Sequence, residues 1–379
     1  MPIAPLPDRW SRRLAALDED RRAKARVRRV HEPKGLDFCS NDYLGLRRDP
    51  RLAEASAQAA WKFGAGSGAA RLLRGTSPLH DQLESELAAW KGAESALLLN
   101  TGFQANATLL PALAREGDAI FSDALNHASL VDGCRMAKAG GASVGVFAHR
   151  DLADLSTRLQ AWRAAAAADA LALVVTDGIF SMDGDAADIP GLRALCDQHG
   201  ALLMVDEAHA TGLLGPEGAG LSALQGAAPH LIMGTLGKAL GSSGAFVCGD
   251  RALVSHLVNT CRGFIFSTAL PPPAVGAALE GLKLARTEPW RREQALRRAA
   301  RLRAALDQAD QPSAIVPVIV GEDATAIRIA ESLQDRGFDV RAVRPPTVPE
   351  GSARLRITTG AHQRDEDVDA LIAALKELL

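Results

Sequence analysis

The chain has 379 residues, 47% of them hydrophobic, and a formal charge of -2, so it can fill a large core and offers no basic field for nucleic acid. Cys39, Cys134, Cys196, Cys248 and Cys261 form no CxxC pair, which argues against a metal site or a disulfide framework and for a reducing compartment, the cytoplasm. No apolar run reaches the roughly 18 residues of a membrane span, and MPIAPLPDRW lacks the basic and apolar regions of a signal peptide.

Residues 8 to 30 read as a basic amphipathic helix, with LDFCSNDYLGL and its turn residues behind it. Strands and helices then alternate. SALLLN, DAIFSD, ASVGVFAH, LALVVTDG, ALLMVDEAH, LIMGTLGK and GAFVCGD are predicted strands, and their unalternating apolar runs suit burial on both faces. TGFQANATLLPALA, HASLVDGCRMAKAG, DLADLSTRLQAWRAAAA and IPGLRALCDQHG are predicted helices, two of them closed by Gly140 and Gly200. The alternation predicts a mostly parallel sheet covered by helices. Aromatic residues are scarce while Ala and Gly are heavily used, so close helix packing is expected to replace large aromatic anchors. After Pro271, a long helix is expected over 274–309, then a smaller α+β unit built from SAIVPVIVG, ATAIRIAESLQDRG, ARLRITTG and EDVDALIAALKELL. The expected organisation is a helical segment over 1–45, a large domain over 46–285 and a small C-terminal domain over 286–379.

Three familiar motifs fail. A P-loop needs Gly where Ile232 stands and Ser or Thr where Ala239 follows Lys238. GASVG around Ser143 is preceded by a helix and followed by a strand, the reverse of a nucleophile elbow. No HExxH is present.

GTLGKALGSSGA places the single cation Lys238 among small residues. Such a lysine is either a solvated loop residue or an imine-forming nucleophile whose neighbours leave room for a planar cofactor. Asp206 ends the apolar run ALLMVD, where a buried carboxylate needs a donor or cationic partner. A cap or an arginine would serve; so would the pyridinium N–H of pyridoxal phosphate (PLP), which a carboxylate keeps protonated. Asp206 and His209 flank the carboxyl end of a parallel strand, where α/β sheets place ligands. Gly102 and Phe103 open a helix whose free N–H groups suit a phosphate, Thr235 offers a hydroxyl, and His127 could lie on the ring.

SNDYLGL, NTGFQAN, DALNHASL, FSMDGD, VDEAHATG, TLGKALGSSGA, FIFST and ARLRIT occur in this order over nearly the whole chain. The set resembles the α-oxoamine synthase family of fold-type I PLP enzymes, which join an amino acid to an acyl thioester with loss of CO2. The resemblance implies a homodimer with its active site at the subunit interface. It gives Lys238 the role of imine-forming lysine, Asp206 that of partner to the ring nitrogen, His209 a place beside the phenolic oxygen and His127 the stacking position. Gly102, Phe103, Thr235 and Ser181 match further cofactor contacts, and Thr268 one that reaches the phosphate across the dimer interface. Arg354 resembles the arginine that holds the substrate carboxylate, with Arg28, Asn41 and Thr358 at substrate-side positions. Strand period puts Arg354, Arg356 and Thr358 on one face and cannot choose between the arginines; the resemblance does. Within the family, RPPTVPEGSARLR and the compact length favour a member that condenses L-alanine with a pimeloyl thioester, on coenzyme A or a carrier protein, for biotin synthesis. A glycine-using sister synthase is the alternative, followed by an aminotransferase and a non-enzymatic binding protein. Two stretches depart from the family pattern: TDG, with Asp177, replaces the usual TEG, and GSGAARLLRG is less glycine-rich than its counterparts.

Overall fold

All seven apolar runs between residues 95 and 249 form strands. In a computed structural model, which describes residues 3–28, 30 and 32–379, the chain divides into two units. One comprises 41–314 and 359–362; the other comprises 1–40, 315–358 and 363–379.

Among the described residues twelve strands are numbered in chain order: β1 Leu36–Asp37, β2 Ser95–Leu99, β3 Ala119–Asp123, β4 Ser143–Phe147, β5 Ala172–Asp177, β6 Ala201–Asp206, β7 Leu231–Thr235, β8 Ala245–Gly249, β9 Ile315–Gly321, β10 Phe338–Asp339, β11 Arg341–Val343 and β12 Ala353–Thr358. The larger unit holds a seven-stranded sheet in the order β2-β8-β7-β6-β5-β3-β4. Strands β7, β6, β5, β3 and β4 run parallel, whereas β8 is antiparallel to both β7 and β2. The nine residues 236–244 between β7 and β8 are too few for a crossover helix, so the chain turns straight back. Asp177 and Asp206, the last residues of β5 and β6, pair in register and place two carboxylates side by side at the carboxyl end of the sheet.

Helices Gly102–Leu113 and Ala128–Ala139 pack against each other and share a core with the sheet through Leu109, Leu110, Leu130, Cys134, Met204 and Val247. Their closeness depends on Gly133, where a Cβ would lie 2.4 Å from the carbonyl oxygen of Asn106. The expected exchange of aromatic anchors for small residues is seen here at a single atom.

The smaller unit has a three-stranded antiparallel sheet, β11-β12-β9, and a parallel pair, β1-β10. Three boundaries differ from expectation. The N-terminal helix spans Asp8–Ala23 and stops short of 30, just before Ala25 takes a φ of 53°. Segment 1–40 is no separate body: β1 pairs with β10, Arg26 meets Asp323 and Glu350, and Gln363 donates to the Asp37 carbonyl. The long helix is two, Pro272–Thr287 and Trp290–Ala305, broken at Pro289, and both belong to the larger unit. The second boundary therefore falls at 314/315 and not at 285.

Candidate active site

The turn after β7 answers why Lys238 stands among small residues. Thr235 Oγ1 donates to Gly244 O at 3.0 Å and accepts from Gly237 N at 3.2 Å, tying the ends of the turn together. Gly241 takes a φ of +65°, and a Cβ there would come within 2.8 Å of Arg47 N. Gly237, in contrast, is exposed and uncrowded, so the turn leaves space directly beside the half-buried Lys238.

Lys238 Nζ lies 2.8 Å from His209 Nε2, and His209 Nδ1 lies 2.6 Å from the hydroxyl of Tyr43, the only tyrosine of the chain. Tyr43 in turn donates to Asn41 Oδ1 at 3.3 Å. With its hydrogen spent on Asn41, the Tyr43 oxygen accepts from His209 Nδ1–H, which leaves Nε2 to accept from the Lys238 ammonium. The series Lys238–His209–Tyr43–Asn41 thus orients the amine and holds one of its protons.

Asp206 is buried and fully engaged: Oδ1 accepts from Ala208 N at 2.8 Å and Oδ2 from Asn106 Nδ2 at 2.7 Å. Asn106 Nδ2 also donates to Ser129 Oγ at 2.9 Å. His127 caps the helix Ala128–Ala139 and lines the cavity, where neighbouring protein withdraws its ring partly from water. That desolvation pushes its pKa below the ordinary histidine value; Asp206 pulls it up and Lys238 adds to the depression. Asp177 accepts from His127 N at 3.2 Å. Burial drives its carboxyl well above the usual carboxylate range, and the charge of Asp206 adds to this.

These groups line one cavity of about 180 Å³, walled by Gly102, Phe103, Asn106, His127, Ser129, Asp177, Asp206, His209, Thr235 and Lys238 among others. Its chemistry fits PLP. A carboxylate, Asp206, and an amine, Lys238, both line it. No hydrogen bond among the described residues uses the N–H groups of Gly102 or Phe103, at the start of a helix capped by Thr101. Two buried acceptors in the same wall, Asn106 Oδ1 and Asp177 Oδ1, have no partner.

Of the residues singled out from sequence, Gly102, Phe103, His127, Asp206, His209, Thr235 and Lys238 meet at this cavity. Asn41 reaches it through Tyr43. Ser181 is buried in the turn after β5 and is not part of the wall. Thr268 is exposed, and its backbone bridges Ala70 in the stretch GSGAARLLRG. Arg28, Arg354 and Thr358 belong to the smaller unit. Arg28 is exposed; Arg354 is buried and donates to Ser352 O. Arg356 donates to Thr358 Oγ1 at 3.1 Å, as residues two apart on one strand face should. Asn106, Ser129 and Tyr43 were not singled out, although each lies inside a quoted motif.

A family profile for class I and II aminotransferases matches residues 33–375. An 8-amino-7-oxononanoate synthase from Anaeromyxobacter dehalogenans is 51% identical, covering 91% of this chain and 86% of its own. Among solved structures, a serine palmitoyltransferase from S. paucimobilis with a bound PLP–myriocin adduct has a TM-score of 0.89 at 28% identity, covering 97% of each chain. The 8-amino-7-oxononanoate synthase of Francisella tularensis has a TM-score of 0.76 at 26% identity, covering 91% of this chain and 96% of its own. The chain belongs to the class I and II aminotransferase family, with the fold-type I architecture and PLP as cofactor. Within it, the chain is a PLP-dependent acyltransferase of the 8-amino-7-oxononanoate synthase group. Backbone similarity is greater to the palmitoyltransferase, but that fold is common to the family, whereas side chains set the substrate; identity of 51% against 28% therefore decides the grouping.

Proposed function

We propose that the protein condenses L-alanine with a pimeloyl thioester, giving 8-amino-7-oxononanoate, CO2 and the free thiol. The observation that carries this reading is the single cavity shared by Lys238, Asp206, His209 and His127, in a chain half identical to named synthases of this product. Bound PLP supplies an electron sink for the carbanion formed at the amino acid Cα. Asp206 would hold its ring nitrogen, Gly102, Phe103 and Thr235 its remaining polar groups, and Lys238 its aldehyde carbon; Ser181, outside the wall, and Thr268, across the subunit interface, are assigned to the cofactor by the resemblance alone. Once free, Lys238 Nζ takes the α-proton of alanine and later returns it, with His209 keeping the amine in place. Arg354, Arg28, Asn41 and Thr358 are assigned to substrate binding.

We further assign a homodimer acting in the cytoplasm. Exposed apolar side chains stand at the cavity wall, Phe103, and within three residues of the Ala70–Thr268 bridge, Leu72, Leu73 and Phe266. All five cysteines are free, which suits a reducing compartment. No helix among the described residues is long and apolar enough to cross a membrane.

The test is a product assay with alanine and glycine across several acyl thioesters, on coenzyme A and on carrier protein. The expected result is 8-amino-7-oxononanoate and CO2 from alanine with a pimeloyl donor. Faster turnover of glycine would instead indicate a glycine C-acetyltransferase or 5-aminolevulinate synthase, and a keto-acid product without CO2 an aminotransferase.

A further inference from the structure

The wall of the cavity contains an unbroken series of hydrogen bonds from Asp206 to the ring of His127. Asn106 has two amide hydrogens, and both are placed: one on Asp206 Oδ2 at 2.7 Å, the other on Ser129 Oγ at 2.9 Å. Reversing the amide would set its oxygen against a carboxylate oxygen at the same distance, so the orientation is fixed by Asp206. Because Ser129 Oγ accepts from Asn106, its own hydrogen is free for His127 Nδ1, 2.7 Å away. The backbone N–H of Ser129 points at the same nitrogen, at 3.2 Å. His127 Nδ1 therefore faces two donors, and a hydrogen placed there would confront both.

We propose that Asn106 and Ser129 are positioning residues that hold His127 as the neutral tautomer with its hydrogen on Nε2. The device follows from donor counting and needs no ligand. Four charged or titratable groups share the cavity with the ring, among them His209, which is hydrogen-bonded to Lys238. Asp206 acts through Asn106, Asp177 accepts from the His127 backbone, and Lys238 shares the cavity. Asp206 and Asp177, if ionised, favour an imidazolium; Lys238 and the two donors of Ser129 oppose it.

The consequence is twofold. His127 offers the cavity a hydrogen-bond donor at Nε2 without carrying charge. The charge of Asp206 is also kept for a cationic ring nitrogen and is not spent on an imidazolium beside it. This catalytic consequence rests on the function proposed above, whereas the tautomer itself does not.

The test is long-range proton–nitrogen NMR of the full-length protein with its histidines labelled by nitrogen-15, recorded with and without PLP between about pH 5 and 8, where imidazole titrates. A His127→Gln variant identifies the signals. The expected result near neutrality is a pyridine-type Nδ1 and a pyrrole-type Nε2, with protonation of His127 confined to the acid end of the range. In Ser129→Ala one donor to Nδ1 is lost, and the titration of His127 rises by about one pH unit, the tenfold change in proton affinity expected for one net hydrogen bond. Ser129→Thr, which keeps the hydroxyl, restores the wild-type titration, and the acid limb of the kcat profile moves with it in each variant. A hydrogen on Nδ1 in the wild type, or an unmoved titration in folded Ser129→Ala, overturns the proposal. Should both variants fail to fold, the wild-type tautomer decides alone. The expected tautomer in a protein that makes no 8-amino-7-oxononanoate would refute the functional reading and leave this one standing.

Discussion

His149 bridges two carboxylates, and its replacement gives the sharpest stability test in the larger unit. Nδ1 lies 2.9 Å from Asp123 Oδ1, at the end of β3, and Nε2 lies 2.9 Å from Asp185 Oδ2. Asp185 closes the turn that carries Ser181, since Phe180 N donates to its carbonyl oxygen. Burial of the imidazole opposes its charge, but the hydrogen bonds to Asp123 and Asp185 outweigh this and raise the pKa from 6.5 to about 9. By linkage such a displacement corresponds to about 3 kcal/mol. The His149 side chain is 26% exposed, and solvent screening reduces the figure to about 2 kcal/mol. A folded-state pKa above the unfolded one means that this stability is fully present below pH 6.5 and is lost as pH rises towards about 9. His149→Gln removes the titration. Urea unfolding of both proteins over a pH series should show wild type ahead by about 2 kcal/mol near neutrality and below, with the gap closing by pH 9 or so. A gap that stays constant between about pH 6.5 and 9 would refute the reasoning, because only the imidazole is expected to lose its proton in that window.

Two further substitutions probe how the site is held. Lys91 and Glu207 form a fully buried ion pair at 2.7 Å, with Glu207 also accepting from Ser222 N and Oγ and standing next to Asp206. Lys91→Met leaves that carboxylate unpaired and should cost about 3 kcal/mol or more in chemical denaturation. Gly133→Ala forces a methyl group towards Asn106 O, where only 2.4 Å is open. It should cost about 1–3 kcal/mol and weaken cofactor affinity by moving Asn106, whereas substitution at the unobstructed Gly200 C-cap should leave affinity unchanged.

Local signals made much of this legible in advance. The apolar runs gave β2 to β8 because strands buried on both faces need no partner to be recognised; the edge strand β4 is the exception, with Ser143 and Val146 exposed. Asp206 could be named because a carboxylate at the end of an apolar run is costly without a partner, Lys238 because it is a lone cation among small residues, and His209 and His127 because their motifs resemble those of a known family. What escaped notice depends on contacts distant in sequence. The place of β8 between β2 and β7 is decided by a short turn and by pairing across more than a hundred residues. The union of segment 1–40 with the C-terminal strands rests on the two-residue strand β1, too short to carry a pattern. Asn106 reads as an ordinary helix-interior residue until the fold brings Asp206 to within 2.7 Å of its amide. Tyr43 likewise gives no sign of His209 from 166 positions away. The break at Pro289 was readable, since proline inside a helical run marks a boundary.

The central claim is that Lys238 is the amine that binds PLP in a cavity with Asp206 at its wall. Borohydride reduction of the PLP-loaded protein, followed by digestion and mass spectrometry, tests it most directly. The account predicts a pyridoxyl group on Lys238 and, in Lys238→Ala, its disappearance without transfer to another lysine. A label on Lys91 or on any surface lysine, with Lys238 unmodified, would contradict it.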